Sequence, residues 1–99
     1  MSKILFEVNY NVIPEKRTDY LEIIDELKIQ IKENSNYDYF VMENKKINNN
    51  FSEYYLFNSE EEFDEMEDNQ NEQVQEIIEK LFNEFILNKK VTYITRQEV

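Results

Sequence analysis

The sequence predicts an α+β fold whose elements follow the order strand, helix, strand, strand, helix, strand. Segments in which apolar side chains alternate with a period of two indicate the strands, and apolar spacings of three and four indicate the helices. A third observation fixes where one element gives way to the next. At residues 51–66 an aromatic-rich strand leads directly into a helix, because Ser59 and Glu62 have the spacing of a capping box.

The first strand is predicted over residues 3–12, and the first helix over residues 15–33. The strand has one face formed by Ile4, Phe6, Val8 and Tyr10. Pro14 ends it, since proline lacks the amide donor of a sheet and suits the first turn of a helix. The helix carries an apolar stripe of Tyr20, Leu21, Ile23, Ile24, Leu27 and Ile31. The Asn-Ser-Asn run at residues 34–36 is expected to end it in place of the usual glycine.

A β-hairpin is predicted next, with strands at residues 37–47 and 51–58. The two alternating segments are joined by three asparagines at residues 48–50. The chain contains no glycine. Turns that need a positive φ angle therefore fall to asparagine, which tolerates that conformation better than most residues.

A long helix is predicted over residues 59–87, and a last strand over residues 91–98. The apolar residues of the helix keep helical spacing except at residues 69–71, where we expect a kink or a break. The Asn-Lys-Lys run at residues 88–90 is expected to end the helix, with basic charge near its C-terminus.

This order of elements is that of a ferredoxin-like βαββαβ domain, predicted here as a single domain over residues 1–99. Such a domain has an antiparallel sheet with both helices on one face. Yet both faces of the third strand carry large side chains, with Tyr54 and Leu56 opposite Tyr55 and Phe57. A solvated second face would not be so aromatic. We therefore expect a second copy of the same sheet to cover it, which gives an isologous homodimer.

The composition excludes several classes of function. The net charge of −11 argues against binding of nucleic acid, which needs clustered Lys and Arg. No apolar segment approaches the length of a membrane span, and a cytoplasmic location is expected. Cys and His are absent, so thiolate chemistry and the usual acid–base group near neutral pH are absent too. The acidic residues 60–68 lack the ligand spacing and glycine turn of a calcium loop, so no metal site is predicted.

Three segments carry a resemblance to a known family: FEVNYNVIPEKRTDYLEII at residues 6–24, EYYLFNSEEEFDEM at 53–66 and VTYITRQEV at 91–99. Together they resemble the dimeric α+β barrel superfamily, and within it the antibiotic biosynthesis monooxygenase-like domains. The resemblance implies a homodimer whose sheets face each other, with a ligand pocket between each sheet and its helices. It also implies chemistries such as cofactor-free oxidation of aromatic polyketides and oxidative haem cleavage.

The sequence departs from that family at three positions. Met66 stands where members often have a histidine, Phe57 where a tryptophan is common, and Val8 where haem-degrading members use an asparagine. The resemblance therefore implies neither haem ligation nor histidine-based catalysis here, and no cofactor is predicted.

Seven residues are predicted to line a space between sheet and helices: Phe6, Val8, Tyr10, Tyr55, Phe57, Phe63 and Met66. They form either an apolar ligand pocket or a packed core. In a pocket, Tyr10 and Tyr55 are the candidate hydrogen-bond donors to a substrate. On the other face, Glu7 and Asn9 need partners if the dimer buries them, either as a carboxylate with a raised pKa or in a cross-subunit hydrogen bond, with Arg96 for example.

Three functions remain open from the sequence. The first is a homodimer that binds a small apolar or aromatic molecule. The second is a cofactor-independent monooxygenase that acts on an aromatic substrate, which asks of the protein only positioning, a dry pocket and a hydrogen-bond donor. The third is a non-catalytic interaction or structural module that acts through its acidic surface.

Overall fold

The computed structural model describes residues 2–68 and 71–99 of the chain. Its elements are β1 (Ile4–Val12), a 3-10 turn (Pro14–Lys16), α1 (Arg17–Asn34), β2 (Asp38–Glu43), β3 (Asn50–Phe57), α2 (Glu60–Asp68), α3 (Glu72–Glu84) and β4 (Ile86–Gln97). The four strands form one antiparallel sheet in the order β2-β3-β1-β4. The predicted ferredoxin-like arrangement, with the helices on one face of the sheet, is confirmed.

The core lies between the sheet and the helices. From α1 it takes Tyr20, Ile23, Ile24, Leu27 and Ile31, and from α3 it takes Val74, Ile77 and Leu81. These residues recur at spacings of three and four, so each helix presents one apolar stripe to the sheet. Each fully buried side chain of this size contributes about 1.5–3 kcal/mol. Leu21, which the sequence placed in the α1 stripe, is 41% exposed and lies outside the core.

The predicted hairpin forms, but its connection is longer than the three asparagines at 48–50: β2 ends early, and Asn50 already belongs to β3. β2 ends at Glu43 because Asn44 begins the turn: its side chain accepts a hydrogen bond from the Lys46 amide at 2.9 Å. Asn49 has a φ of 65°, the left-handed conformation that a glycine would otherwise supply.

The predicted helix over residues 59–87 is two helices, and it ends earlier. At its start Ser59 caps the helix as predicted, since the Glu62 amide donates to Ser59 Oγ at 3.3 Å. The Glu62 carboxylate accepts from the Asn58 amide at 2.8 Å, one residue before the amide that a capping box uses. Asn71 caps α3, since its side chain accepts hydrogen bonds from the amides of Gln73 and Val74. Of the residues at the expected kink or break, 69 and 70 lie outside the described part of the chain.

The prediction that Asn88-Lys89-Lys90 ends the helix is wrong. α3 ends at Glu84, and β4 begins at Ile86 because Ile86 pairs with Val12 of β1. Tyr10 pairs with Val91, so residues 87–90 leave the ladder between these two pairs. Asn88 and Lys89 have φ angles of 56° and 52°. These positive φ angles accompany an irregularity in the pairing of β4 with β1, where the register shifts between Tyr10 and Val12.

The second face of the sheet carries an apolar patch, formed by Leu5, Phe40, Tyr54 and Leu56, beside a polar network. In the network, Ser52 Oγ donates to Glu7 at 3.1 Å, and the Asn9 amide donates to Ser52 Oγ at 2.8 Å. Glu7 and Asn9 thus find partners in their own chain. Within residues 2–68 and 71–99, none of the helices combines the length and the apolar character needed to cross a membrane.

Candidate functional site

A cavity of about 430 Å³ lies between the helix-facing side of the sheet and the helices. The strands β1, β3 and β4 supply its floor, while α2 and α3 supply much of its cover. Cavities of 300–1,000 Å³ with mostly apolar walls are typical of small-molecule sites. The space is therefore large enough for a ligand, and the core is not completely filled.

Five of the seven residues predicted from the sequence line this cavity: Phe6, Val8, Tyr10, Tyr55 and Met66. Phe57 and Phe63 do not. Phe57 is completely buried, and its ring packs edge-on against Phe63, with 5.4 Å between the ring centres. Phe63 in turn lies 6.0 Å from the ring of Phe6. These two residues are packed core behind the cavity wall rather than part of its surface.

The sequence reasoning missed Glu53, a carboxyl group that lines the cavity from the middle of β3. Glu53 is only 5% exposed, although Glu is almost never fully buried without a partner. A signal was present in the alternation. Glu53 occupies the same face as Phe51, Tyr55 and Phe57, so it is a charged residue at a position where the pattern predicts an apolar one.

Tyrosine hydroxyls hold the Glu53 carboxyl group. Tyr39 donates to its Oε1 at 2.6 Å, and Tyr55 donates to the same oxygen at 3.2 Å. Neither of these hydrogen bonds uses Oε2. Close by, the hydroxyls of Tyr10 and Tyr20 are hydrogen-bonded to each other at 2.7 Å. Both candidate donors from the sequence, Tyr10 and Tyr55, are thus already engaged with partners inside the protein.

Burial is the dominant influence on the ionisation of this cluster. It raises the pKa of Glu53, while hydrogen bonds from the hydroxyls of Tyr39, Tyr10 and Tyr55 oppose that rise by stabilising the carboxylate. Burial also raises the pKa of each of these tyrosines, and the nearby Glu53 charge raises it further. The tyrosines are therefore neutral hydrogen-bond donors, and Glu53 is the group in the cluster that exchanges a proton most readily.

The walls of the cavity are aromatic and its charged groups are all acidic. The rings of Phe6 and Tyr93 are stacked with their centres 5.9 Å apart, and the ring of Tyr37 lies 5.9 Å from that of Tyr55. Glu67 and Glu79 join Glu53 in the lining, whereas no Lys or Arg does so among the residues that the structure describes. The cavity is therefore an apolar space with a negative electrostatic bias.

A second carboxylate on the same side of the sheet, Glu43, has a different environment. Arg17 donates two hydrogen bonds to it, one to each carboxylate oxygen, and the Asn49 amide donates a third at 2.8 Å. The hydrogen bonds from Arg17 are the main reason that the pKa of Glu43 is lowered to about 2. The Arg17 guanidinium also lies over the ring of Phe51, 5.4 Å from its centre. This ion pair ties the start of α1 to the turn between β2 and β3.

Comparison with known proteins relates the chain to others by fold. No family model matches the sequence, and no curated protein matches it. Solved structures do match. A conserved protein from Methanosarcina mazei Go1 has a TM-score of 0.83 at 17% identity, covering 100% of this chain and 95% of that one.

Two further structures are proposed antibiotic biosynthesis monooxygenases. The one from Caulobacter crescentus CB15 has a TM-score of 0.82 at 12% identity, covering 99% of this chain and 91% of the other. The one from Nitrosomonas europaea has a TM-score of 0.80 at 7% identity, covering 98% and 90%. At such identities the likeness shows a shared fold. It confirms, at the level of fold, the resemblance to the antibiotic biosynthesis monooxygenase-like domains.

Proposed function

We propose that this chain is a homodimeric α+β barrel protein that binds a small apolar or aromatic molecule in the cavity between sheet and helices. The observation that carries the proposal is the cavity of about 430 Å³ itself, because a packed core would leave no such space. Its aromatic walls suit a flat apolar ligand, and its few polar groups converge at Glu53 and the neighbouring tyrosines. A cytoplasmic location stays a prediction from the sequence.

Binding is tested with a neutral apolar dye whose fluorescence rises in apolar surroundings, N-phenyl-1-naphthylamine. We expect saturable binding of one dye per chain. In the variant Ile78→Trp the larger side chain fills part of the cavity, and the dye should be displaced. The matched control is Ile29→Trp, since Ile29 is 56% exposed on α1 and lies outside the cavity lining.

Two results would argue against binding in this cavity. One is the absence of saturable fluorescence with the unmodified protein, and the other is equal affinity in Ile78→Trp and Ile29→Trp. Circular dichroism of both variants shows whether they keep the fold. If no apolar probe binds, the third function, an interaction module that acts through its acidic surface, is the one that remains.

The dimer is proposed from the second face of the sheet. Leu5 and Leu56 face each other across β1 and β3, and the rings of Phe40 and Tyr54 stack with their centres 5.2 Å apart. These four side chains are each half-buried on the face of the sheet opposite the helices, and an apolar patch of this kind marks an association surface. Ile94, 36% exposed on β4, extends it.

Light scattering measures the oligomeric state directly. We expect a mass of twice the 12.2 kDa of one chain at micromolar concentration. Leu56→Glu places a charge in the proposed interface and should give monomers. Leu21→Glu, on the exposed surface of α1, is the matched control and should remain dimeric. A monomeric unmodified protein would refute the dimer without affecting the proposal of ligand binding.

A cofactor-independent monooxygenase is the second candidate, and Glu53 is the observation that favours it. A buried carboxyl group with a raised pKa, next to an apolar cavity, suits a general base. Glu53 would take a proton from an acidic CH₂ group of an electron-rich aromatic. The resulting carbanion reduces O₂, and the CH₂ group and O₂ become a ketone and water. Tyr10 and Tyr55 stay the proposed hydrogen-bond donors to the substrate, and each must then exchange its present partner, Tyr20 for Tyr10 and Glu53 for Tyr55, for the substrate.

Oxygen uptake with anthrone as the probe tests this second candidate. If it is correct, the unmodified protein consumes one O₂ per anthrone and yields anthraquinone. Glu53→Gln should then slow the reaction by roughly 10²–10⁴, the usual contribution of a general base. Glu61→Gln, which removes an exposed carboxylate of α2, should not change the rate. A rate equal to that without protein would exclude the oxygenase and leave the binding function.

A further inference from the structure

The charged groups around the cavity indicate what kind of ligand it accepts. Its lining holds three carboxyl groups, Glu53 on β3, Glu67 on α2 and Glu79 on α3. Glu67 and Glu79 are exposed, whereas Glu53 is buried at the inner end. The chain as a whole carries a net charge of −11. The lining therefore has two exposed carboxylates and one buried carboxyl group, and together they disfavour an anionic ligand.

We propose that the ligand of this cavity is a cation with an apolar body, a protonated aromatic or alkyl amine, whose ammonium group is held by Glu53. The proposal rests on the proposed binding function and adds the charge class of the ligand. The apolar body of the amine lies among the aromatic side chains of the walls, and its ammonium group reaches the carboxyl group at the inner end.

The hydrogen bonds of Glu53 leave room for this ammonium group. A carboxylate has two oxygens with about four acceptor positions. The direct hydrogen bonds from Tyr39 and Tyr55 both fall on Oε1. Oε2 accepts neither of these two hydrogen bonds, although the Tyr10 hydroxyl also stabilises the carboxylate. An ammonium group brings donors that match the acceptor positions left on the carboxylate. A charge-assisted hydrogen bond of this kind is stronger than one between neutral groups.

The aromatic rings around Glu53 favour the same class of ligand. Tyr55 lies at the centre of a group of rings, 5.8 Å from Phe6, 5.9 Å from Tyr37 and 4.9 Å from Tyr39 between ring centres. The faces of such rings attract a cation, and more strongly where water is excluded. A neutral ligand gains the apolar contacts but neither the cation–π attraction nor the ion pair.

A metal ion does not fit this cluster equally well. Ca²⁺ and Mg²⁺ take six or more ligands, mostly oxygens, and Zn²⁺ prefers Cys and His, which this chain lacks. No group of three or more Asp or Glu side chains that could hold a metal is present within residues 2–68 and 71–99. The polar atoms beside Glu53 are instead tyrosine hydroxyls, which already donate to it or to each other.

Protonation of Glu53 opposes binding of a cation, so affinity depends on pH. The titratable groups that face Glu53 are Tyr10 from β1, Tyr20 from α1, Tyr39 from β2 and Tyr55 from β3, with Glu67 and Glu79 in the same lining. The tyrosines have raised pKa values and stay neutral. Acidification should therefore weaken the binding of an ammonium ligand while leaving that of a neutral isostere unchanged.

The test compares three probes that share one aromatic body: 2-naphthylmethylamine, 2-naphthylmethanol and 2-naphthoate. Calorimetric titration at pH 7 measures their affinities for the unmodified full chain. We expect the ammonium probe to bind at least about tenfold more tightly than the alcohol, which corresponds to about 1.4 kcal/mol. The naphthoate should bind more weakly than both. The preference for the amine over the alcohol should decline as the pH is lowered from 7 to 5.

The variant Glu53→Gln removes the charge and keeps the shape of the side chain. Its preference for the amine over the alcohol should fall to about one, while its affinity for the alcohol shows that the cavity is intact. Glu61→Gln is the matched control and should keep the tenfold preference. Glu79→Gln, in the cavity lining, should reduce the preference less than Glu53→Gln, because the carboxylate of Glu79 is exposed and screened.

The outcomes separate this inference from the function on which it rests. If none of the three probes binds the unmodified protein, the proposed binding function fails and the inference fails with it. If the alcohol binds as tightly as the amine, the cavity binds ligands but does not select cations, and only the inference is overturned. A preference that survives in Glu53→Gln would also overturn it, since the ammonium group would then be held elsewhere.

Discussion

Two carboxylates face the helices from adjacent strands of the sheet, and their environments are opposite. Glu43 on β2 receives two hydrogen bonds from a guanidinium group, its side chain is 29% exposed, and its pKa is lowered to about 2. Glu53 on β3 is 5% exposed, its direct hydrogen bonds come from neutral tyrosines, and burial raises its pKa. Glu43 is thus paired with a cation beside water, whereas Glu53 is enclosed and, within residues 2–68 and 71–99, has tyrosine hydroxyls rather than a cation as its hydrogen-bond partners.

This contrast separates a carboxylate that stabilises the fold from one that marks the candidate site. An exposed ion pair connects two elements at little cost, as Arg17 and Glu43 do for α1 and the β-hairpin. A buried carboxyl group without a cationic partner is expensive, and an apolar residue at the same position would stabilise the core. Perturbed carboxyl groups of this second kind cluster at functional sites. Glu53, rather than Glu43, is therefore the centre of the candidate site.

Removal of a hydrogen bond to Glu53 should have the largest effect on the free energy of unfolding. Tyr39→Phe removes the shorter of the two tyrosine hydrogen bonds and leaves the buried carboxyl group less well satisfied. We expect the free energy of unfolding to fall by about 1–3 kcal/mol, measured by urea denaturation at pH 7.

Tyr54→Phe is the matched control for this substitution. Tyr54 lies on the opposite face of the sheet, where its ring stacks on Phe40, and the same hydroxyl deletion there should change the stability by less than about 0.5 kcal/mol. Equal effects of the two substitutions would mean that the hydrogen bond from Tyr39 to Glu53 contributes nothing particular to the fold.

The sequence predicted the parts of the fold that depend on local patterns. Alternation placed β1 and β3 within two residues of their observed ends, and the capping residues Ser59 and Glu62 located the start of α2. The sequence-based prediction failed at the start of β4, because the apolar residues near the end of α3 continue at helical spacing through Ile86. Pairing of Ile86 with Val12, a contact between distant parts of the chain, decides that this residue is in a strand.

The site was less predictable than the fold, because it too depends on contacts between distant parts of the chain. Alternation in β1 and β3 identified four residues of the cavity lining, because it determines which face of a strand a side chain occupies, and helical spacing identified the fifth, Met66. Alternation also placed Glu53 on that face, but not next to Tyr39, which comes from β2. The register between β2 and β3 sets this contact. The sequence likewise gave no indication that Phe57 and Phe63 pack against each other and leave the cavity surface.

Replacement of the buried Glu53 carboxyl group by an amide should have the next largest effect on the free energy of unfolding, and the sign of this effect depends on pH. Because the pKa of Glu53 is raised on folding, the native state binds more protons than the unfolded state above the unfolded pKa. The stability of the unmodified protein therefore declines as the pH rises from about 4.5 through the raised pKa. Glu53→Gln has no carboxyl group to titrate and should not show this decline. The decline amounts to about 1.4 kcal/mol for each unit by which folding raises the pKa of Glu53.

Urea denaturation of the Gln variant at a series of pH values from 5 to 8 measures this difference. We expect Glu53→Gln to gain stability relative to the unmodified protein as the pH rises. Glu61→Gln removes an equal charge from the exposed surface of α2 and provides the control for the change in net charge. A difference between Glu53→Gln and the unmodified protein that is constant across this pH range would mean that the pKa of Glu53 is not raised.

Removal of the exposed Glu43 charge should have the smallest effect on the free energy of unfolding, and this effect should depend on pH in the opposite direction. The pKa of Glu43 is lowered on folding, so its contribution is present above the unfolded pKa and is lost as the pH falls toward about 2. Glu43→Gln should therefore be slightly less stable than the unmodified protein at pH 7 and equally stable at pH 2. High salt should weaken the contribution of Glu43 as well, since the ion pair is exposed, while the tyrosine-bound Glu53 should respond little. The contribution of each carboxylate is the difference in the free energy of unfolding between the unmodified protein and its Gln variant. If salt changed this difference equally for Glu43→Gln and Glu53→Gln, the contrast between the two carboxylates would not hold.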